Sequence, residues 1–304
     1  MPAVSVIMNC LNGEKYLREA IDSVYAQTRA DWEIIFWDNA STDRSGEIAQ
    51  RYDARLRYFR GGSTIPLGAA RNKALEQARG EFVAFLDCDD IWLARKLEKQ
   101  LPMFDDPEID LVYCDALYFN PAGRTQRLYE RHPYFVGRCF AKLLVHYCLS
   151  LVTVVIRKQA LARQRYWFDD RFHVSEEAEL FLRLAHAGKV SMVDEPLAKY
   201  RVHADSWTAT RPHLFAKERE LMLQRFAEVI PHFEVSFRNE IAQLRARHAF
   251  SDAKQLWISG DAGAARALLK PHVGGLRAAL LYLLTFSPPS LGQFIERQWN
   301  VPRH

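Results

Sequence analysis

The chain of 304 residues is 49% hydrophobic and 26% charged, with a net charge of +4. This composition provides a large apolar core and excludes a disordered or fibrous protein. Five scattered cysteines without a C-x-x-C pair argue against a zinc knuckle or a disulfide framework, which indicates a reducing compartment. The first apolar run is typical of a strand rather than a signal peptide, and no run reaches the roughly 18 apolar residues of a membrane span. We therefore expect a cytoplasmic protein, soluble or peripheral at a membrane.

Short apolar runs alternate with segments of helical spacing over the first hundred residues. The predicted strands are 4–8, 33–37, 56–59 and 82–86, and the predicted helices are 14–27, 41–52 and 67–78. The second helix is expected to be capped by Ser41-Thr42-Asp43. This order predicts an α/β fold with an open, mostly parallel, Rossmann-like sheet that is flanked by helices. Polar residues that directly follow a strand then lie at the ligand-binding edge of the sheet.

The rest of the chain is predicted to be less regular and then helical. Strands are expected at 111–114 and 152–156, a helix at 175–186, and later helices at 241–250, 262–269 and 276–284. A boundary near residue 210 therefore separates an α/β domain, 1–210, from a helical C-terminal extension, 211–304.

The C-terminal extension carries the whole basic excess of the chain. Residues 211–304 hold 13 Lys and Arg against 8 Asp and Glu. This asymmetry makes an anionic partner a candidate, beside the alternative of a solvated helical surface. One predicted helix face holds an apolar stripe formed by Leu276, Ala279, Leu280, Leu283 and Leu284. The stripe favours a buried helix face over one that lies on a membrane, and the extension is a candidate for peripheral membrane contact or homo-oligomer assembly.

Three carboxylates, Asp87, Asp89 and Asp90, follow the strand predicted at 82–86. Placing three carboxylates at the end of a buried strand costs free energy, because their charges repel one another and are partly removed from water. A divalent cation is the natural counter-charge, and oxygen ligands favour Mg²⁺ or Mn²⁺. The alternative is an Asp-rich turn that caps the next helix.

Two further groups at the same predicted edge suit a nucleotide. Asp38 follows the second strand, where its carboxylate can accept the imide N–H of a nucleobase; a plain Asx turn is the alternative. Arg71 and Asn72 lie early in a predicted helix on the side of the acid cluster. A guanidinium there suits phosphate or planar base contacts, and a solvated surface arginine is the alternative.

The blocks that carry these residues resemble family 2 glycosyltransferases with the A-type (GT-A) fold. They stand in the family order over about residues 3–205 and consist of 4–12, 38–43, 68–75, 80–92 and 96–101. The resemblance implies a nucleotide-sugar donor, an inverting transfer of the sugar to an acceptor hydroxyl, and a glycan or lipid-linked saccharide as acceptor. It divides the first domain into a nucleotide-sugar half, about 1–100, and an acceptor half, about 101–210.

The resemblance also implies roles for individual residues. The donor-binding residues that it implies are Asn9, Leu11, Asp38, Arg71, Asp87 and Cys88. Asp89 is implied as the direct metal ligand, with Asp87 as the second carboxylate and Asp90 in support. The segment 200–203 resembles a loop that lies near the diphosphate in the family. Its His203 is a candidate third ligand that favours Mn²⁺, because imidazole suits softer ions.

A catalytic base is implied in the acidic segment 175–183, at the start of a predicted helix. Glu177 takes the position of the base, and its neighbour Glu176 is the second candidate. In a single displacement the base takes the proton of the acceptor hydroxyl while the nucleoside diphosphate leaves. Favourable charges in the first turn of a helix are the alternative explanation of these glutamates.

Other functions agree less well with the motifs. The first strand is not followed by G-x-G-x-x-G, which argues against a Rossmann oxidoreductase. A nucleotidyltransferase of similar fold and a nucleotide-sugar-binding protein without turnover remain as alternatives. No nucleic-acid partner is expected.

Overall fold

The structure is a computed structural model that describes residues 2–120, 122–130, 133–203, 206, 210–211 and 214–293. Strands alternate with helices up to residue 201, and helices follow. The strands are β1 Val4–Cys10, β2 Trp32–Asp38, β3 Leu56–Arg60, β4 Phe82–Phe85, β5 Ile91–Trp92, β6 Ile109–Phe119, β7 Thr125–Arg127, β8 Val155–Arg157 and β9 Lys189–Arg201. The helices are α1 Leu17–Tyr25, α2 Ser45–Ala49, α3 Leu67–Leu75, α4 Lys96–Gln100, α5 Phe140–Val145, α6 Lys158–Ala162, α7 Glu176–Ala187, α8 Leu214–Val229, α9 Phe233–Ser236, α10 Arg238–Ile258, α11 Ala262–Leu269 and α12 Leu276–Leu284.

The strands within the described residues form one sheet. Eight of them follow the order β3-β2-β1-β4-β8-β6-β9-β5, and β7 pairs with β6. β1 pairs in parallel with β2 and β4, and β2 pairs in parallel with β3, so their carboxyl ends meet at one edge. All seven residues of β1 are buried, as expected for a central strand that is covered on both faces. The predicted α/β fold is confirmed. In the second half of the sheet β6 and β9 pair in parallel, whereas β5, β7 and β8 pair antiparallel with their neighbours.

The start of the second helix differs from the prediction. α2 begins at Ser45. Of the three predicted cap residues, Asp43 alone hydrogen-bonds its first turn, where Oδ1 accepts from Ser45 N at 2.9 Å. Ser41 and Thr42 bind Asn12 instead. Ser41 Oγ accepts from Asn12 N at 3.1 Å, and Thr42 N donates to Asn12 Oδ1 at 2.8 Å. The turn after β2 is therefore tied to the turn after β1.

Two segments later in the chain also differ from the prediction. The strand expected at 152–156 is a 3-10 turn, Leu151–Thr153, followed by the short strand β8. The segment 200–203, expected as a loop, contains the last two residues of β9. Because β9 pairs with β6 over its full length, its end is held beside the carboxyl edge of the sheet.

The chain divides into two compact units. The first comprises Met1–Leu143 and Tyr147–Val229 and holds the sheet, and the second comprises Leu144–His146 and Ile230–His304. In the second unit, α10, α11 and α12 pack around a small core that includes Trp257. The sequence-based boundary near residue 210 stays a prediction.

The predicted burial of the stripe on α12 is wrong. The buried residues of this helix are Ala278 and Leu281, whereas Leu276, Leu280 and Leu283 are 77%, 53% and 66% exposed. The core of this unit lies against the other face of α12, because Ala278 and Leu281 belong to it. No helix within the described residues has both the length and the apolar character needed to cross a membrane.

Candidate active site

The acid cluster lies in the loop after β4, at the edge where the parallel strands end. Asp90 is buried, and its Oδ1 accepts a hydrogen bond from Arg201 N at 2.8 Å. The carboxylates of Asp87 and Asp89 are partly exposed. Burial and the charge of Asp89 raise the pKa of Asp90 well above its usual range, and burial also raises the pKa of Asp87. The loop therefore gathers more negative charge than its surroundings neutralise.

Arg71 joins this loop to a distant segment. It projects from α3, is almost fully buried, and donates to Asp87 Oδ1 at 3.1 Å and to Glu176 Oε1 at 2.5 Å. Arg71 and Glu176 are 105 residues apart in the chain. Burial raises the pKa of Glu176, and the guanidinium of Arg71 opposes that shift. The alternative of a solvated surface arginine is wrong, because this side chain is an internal bridge between two carboxylates. A contact between Arg71 and the nucleotide stays a prediction.

The first turn of α7 presents Glu177 to the same region. Its neighbour Glu176 is held by Arg71, and Glu179 is buried in an ion pair with Arg183 at 2.8 Å, so these two carboxylates are engaged. Burial and the charge of Glu176 raise the pKa of Glu177 to about 8. A carboxylate of that pKa is a much stronger base than an ordinary glutamate. Of the three glutamates in this turn, Glu177 is the one with the properties of a proton acceptor.

Tyr147 adds a polar group near Glu177 that sequence reasoning missed. Its hydroxyl is buried and has no hydrogen-bond partner among the described residues. Burial and the charge of Glu177 raise the pKa of this hydroxyl well above its usual range. No motif surrounds Tyr147, so only the structure could identify it.

The end of β9 packs against the acid loop. His203 Nε2 lies 3.0 Å from Asp89 Oδ2, and Arg201 Nε donates to the carbonyl oxygen of Asp89 at 2.8 Å. The Arg201 guanidinium stacks on Tyr16, with 4.2 Å between the guanidinium carbon and the ring centre. The sequence-based interpretation of the segment 200–203 assigns no role to Arg201, although an arginine two residues before a candidate ligand is a usable signal.

Asp38 is placed at the expected edge but is fully buried. Its Oδ1 accepts from Ser41 N at 2.7 Å, and its Oδ2 accepts from the Tyr58 hydroxyl at 2.6 Å and from Arg60 at 2.8 Å. Both oxygens are therefore engaged with protein donors, and the carboxylate orders the turn after β2. A direct contact between Asp38 and a nucleobase stays a prediction.

The turn after β1 supplies the other predicted donor-binding residues. The side-chain amide nitrogen of Asn9 is buried and lacks a partner in the part of the chain that the structure describes, whereas Leu11 is 39% exposed. Asn12 and Ala40 both adopt positive φ angles, 56° and 63°. Such angles are strained for alanine and are often found at ligand-binding turns. These two turns form the rim next to the acid loop.

Cys88 points back from the acid loop toward β1. A Cβ built on Gly13 would lie 2.7 Å from the sulfur of Cys88 and 2.8 Å from that of Cys10. Only glycine leaves room for this contact between the two sulfurs and the β1 turn. The position of Cys88 is therefore explained by packing, and its contact with a donor stays a prediction.

The acid loop and His203 offer candidate metal ligands. No group of three or more His, Cys, Asp and Glu side chains within the described residues is arranged to hold an ion. Mg²⁺ commonly binds only one or two protein carboxylates and takes its remaining ligands from water and phosphate oxygens. Asp87 and Asp89 offer such a pair, with carboxylates that lack a full counter-charge. His203 Nδ1 is buried without a partner among the residues described, while its Nε2 faces Asp89.

Comparisons with known proteins agree with this geometry. The model of the family "Glycosyl transferase family 2" matches residues 5–168. The chain is 39% identical over 211 residues to UDP-Glc:alpha-D-GlcNAc-diphosphoundecaprenol beta-1,3-glucosyltransferase WfgD of Escherichia coli, covering 68% of this chain and 80% of the relative.

Solved structures share the fold at low identity. Staphylococcus aureus TarS 1-349 in complex with UDP-GlcNAc superposes with a TM-score of 0.67 at 20% identity, covering 98% of this chain and 92% of TarS. The mannosyltransferase PcManGT of Pyrobaculum calidifontis, in complex with GDP-Man and Mn²⁺, superposes with a TM-score of 0.62 at 19% identity, covering 99% and 88%. The predicted GT-A fold is confirmed.

Proposed function

Since the chain belongs to glycosyl transferase family 2, we propose that it is an inverting enzyme that moves a sugar from a nucleoside diphosphate sugar to an acceptor hydroxyl. The acceptor in this proposal is a glycan or a lipid-linked saccharide, and the reaction belongs to cell-surface polysaccharide assembly. The name of the Escherichia coli relative supports this class of acceptor, since it specifies a diphosphoundecaprenol-linked sugar.

One observation carries the proposal. The buried guanidinium of Arg71 holds the first carboxylate of the acid loop and the first carboxylate of α7 together. An inverting transferase needs its donor-binding edge and its proton acceptor within reach of one anomeric carbon but on opposite faces of it, because the acceptor attacks opposite the departing diphosphate. The ion pairs of Arg71 join the acid loop to the turn that carries Glu177, which supports such an arrangement.

In this proposal Glu177 is the catalytic base and Glu176 is a positioning residue. The acceptor hydroxyl attacks the anomeric carbon, its proton passes to a carboxylate oxygen of Glu177, and the bond to the nucleoside diphosphate breaks. Glu176 acts through its ion pair with Arg71, which fixes the first turn of α7. Its negative charge also raises the pKa of Glu177, which makes Glu177 a stronger base.

The candidate ligand atoms fit Mg²⁺ or Mn²⁺, with Asp89 and Asp87 as the carboxylates that would hold the ion. His203 is the candidate third ligand, which favours Mn²⁺. A divalent cation bound there would supply positive charge to the departing diphosphate. The complex of PcManGT with GDP-Man and Mn²⁺ supports this cofactor class.

The rim formed by the turns after β1 and β2 is the proposed nucleotide site. Asn9 offers a buried amide without a partner among the described residues, and Leu11 offers an exposed apolar surface for a base. The two structural relatives hold UDP-GlcNAc and GDP-Man, so the fold accepts both pyrimidine and purine nucleotides. A cytoplasmic location is part of the proposal and agrees with the five free cysteines.

The test is a donor screen that measures the released nucleoside diphosphate with Mn²⁺ and a soluble acceptor, followed by mass analysis of the product. A sugar transferred with release of nucleoside diphosphate supports the proposal. Release of pyrophosphate would instead identify a nucleotidyltransferase. Tight donor binding without any release would identify a binding protein without turnover.

A further inference from the structure

The helix α12 is apolar on two opposite faces. Its residues Ala278 and Leu281 are buried in the small core of the second unit. Its other face carries large apolar side chains that solvent reaches, which are Leu276, Leu280, Leu283 and Leu284. We call these four residues the leucine face. The spacing of four, three and one residues places them on one side of the helix.

The leucine face is unusual for a surface that stays in water. A surface helix normally carries polar residues opposite its buried face, but the only charged residue of α12 is Arg277. Val273 before the helix and Phe286 after it are also exposed, by 42% and 67%. Soluble proteins rarely expose large contiguous apolar patches unless the patch binds a protein or a membrane.

The charges around this helix distinguish between these two partners. No Asp or Glu occurs between Asp261 and Glu296, whereas Arg266, Lys270 and Arg277 lie in that interval. A second copy of the leucine face would bring the cations of the two copies close together, and this interval of the chain offers no acid to pair with them. An anionic lipid surface would offer phosphates to them and an apolar layer to the leucines.

The dimensions of α12 indicate how it would lie on a bilayer. Its nine residues span about 14 Å, less than half of the roughly 30 Å hydrocarbon layer. A helix of this length can rest in the headgroup region with one apolar face turned inward, but it cannot cross. This agrees with the absence of a spanning helix among the described residues.

We propose that the leucine face docks on an anionic phospholipid membrane, with Arg277 and Lys270 at the level of the phosphates. The inference goes beyond the proposed transfer reaction and does not depend on it. Its functional consequence is that the chain would be held at the surface where a lipid-linked acceptor resides.

The test is flotation of the purified full chain with phosphatidylcholine vesicles, with and without phosphatidylglycerol. We expect binding only to the vesicles that contain phosphatidylglycerol, and weaker binding at high salt. The variant L280S/L283S should lose about tenfold or more of the binding constant, because two exposed leucines no longer enter the apolar layer. R277E should also weaken binding, by removing a cation from the docking surface.

Val235→Ser is the matched control, because Val235 is 79% exposed in the same unit but outside the leucine face. It should bind vesicles as the unchanged chain does, and thermal unfolding checks that all variants fold. Three results would overturn the proposal: full binding by L280S/L283S, equal binding without phosphatidylglycerol, or no vesicle binding together with a dimer that L280S/L283S abolishes. Nucleoside diphosphate release with a soluble acceptor is measured in parallel, so that failure of the transfer reaction is seen separately.

Discussion

The protonation of Glu177 makes a sharp prediction about pH. Burial and the charge of Glu176 raise the pKa of Glu177 to about 8. A base must be deprotonated to accept a proton, so the transfer rate should rise with pH up to this pKa. The opposite trend is expected for a group that acts as an acid.

The size of the effect follows from the titration curve. With a pKa of about 8, the deprotonated fraction is about one hundredth at pH 6 and about one half at pH 8. The value of kcat/KM should therefore rise roughly 50-fold over that interval. Glu177→Gln keeps the size of the side chain and removes its basicity, so the rate at pH 8 should fall by roughly 10²- to 10⁴-fold and the rise with pH should disappear.

The assay is continuous detection of nucleoside diphosphate release at subsaturating acceptor, where the rate is proportional to kcat/KM, with donor affinity measured separately by calorimetry. Glu176→Gln is the matched control. It removes the charge that raises the pKa of Glu177, so the rise should persist but begin at lower pH. If Glu177→Gln transfers sugar at the normal rate, or keeps the same rise with pH, Glu177 is not the base.

Three further predictions concern the same site and the sheet behind it. Asp89→Asn should lower the Mn²⁺-dependent affinity for a nucleotide-sugar by about tenfold or more without changing the melting temperature; unchanged calorimetric affinity would contradict the assignment. Arg71→Met should lower the free energy of unfolding by about 3 kcal/mol, because two carboxylates lose their ion-pair partner. Urea denaturation measures this, and an unchanged free energy of unfolding would show that the two ion pairs do not stabilise the fold. Gly80→Ala should cost about 1–3 kcal/mol, because the new Cβ would lie 2.6 Å from the backbone of β1; an unchanged melting curve would rule this out.

The strands of the first half were predictable because their signal is local. β1 and β4 are nearly continuous apolar runs, which is the pattern of strands covered on both faces. α7 was predictable for a similar reason, since its acidic first turn and terminal Gly188 mark its ends. The start of α2 was not predictable from the sequence. Ser41 and Thr42 form hydrogen bonds with Asn12 in the turn after β1, rather than with the first turn of α2.

The details of the site depend on contacts between distant segments. Arg71 has the same local sequence signal whether it is solvated or buried, and only the fold brings Glu176 to it. Asp38 likewise lies at the expected edge, as the last residue of β2, but its Oδ2 is occupied by Tyr58 and Arg60 on the neighbouring strand. The prediction that the apolar stripe of α12 is buried was wrong for a related reason. Helical spacing does not indicate which of two apolar faces of a helix packs against the core.

The charges of the site bear on how it would accept a diphosphate. The acid loop and the first turn of α7 bring together five carboxylates, which are Asp87, Asp89, Asp90, Glu176 and Glu177, and Arg71 is paired with two of them. Arg201 adds a second cation, but it contacts the backbone of the loop and Glu19. Burial, followed by the negative charges of neighbouring carboxylates, raises the pKa values of Asp90 and Glu177. A diphosphate would bring further negative charge into partly desolvated space. The proposed function therefore includes a divalent cation, for which Asp87, Asp89 and the phosphate oxygens would together provide ligands.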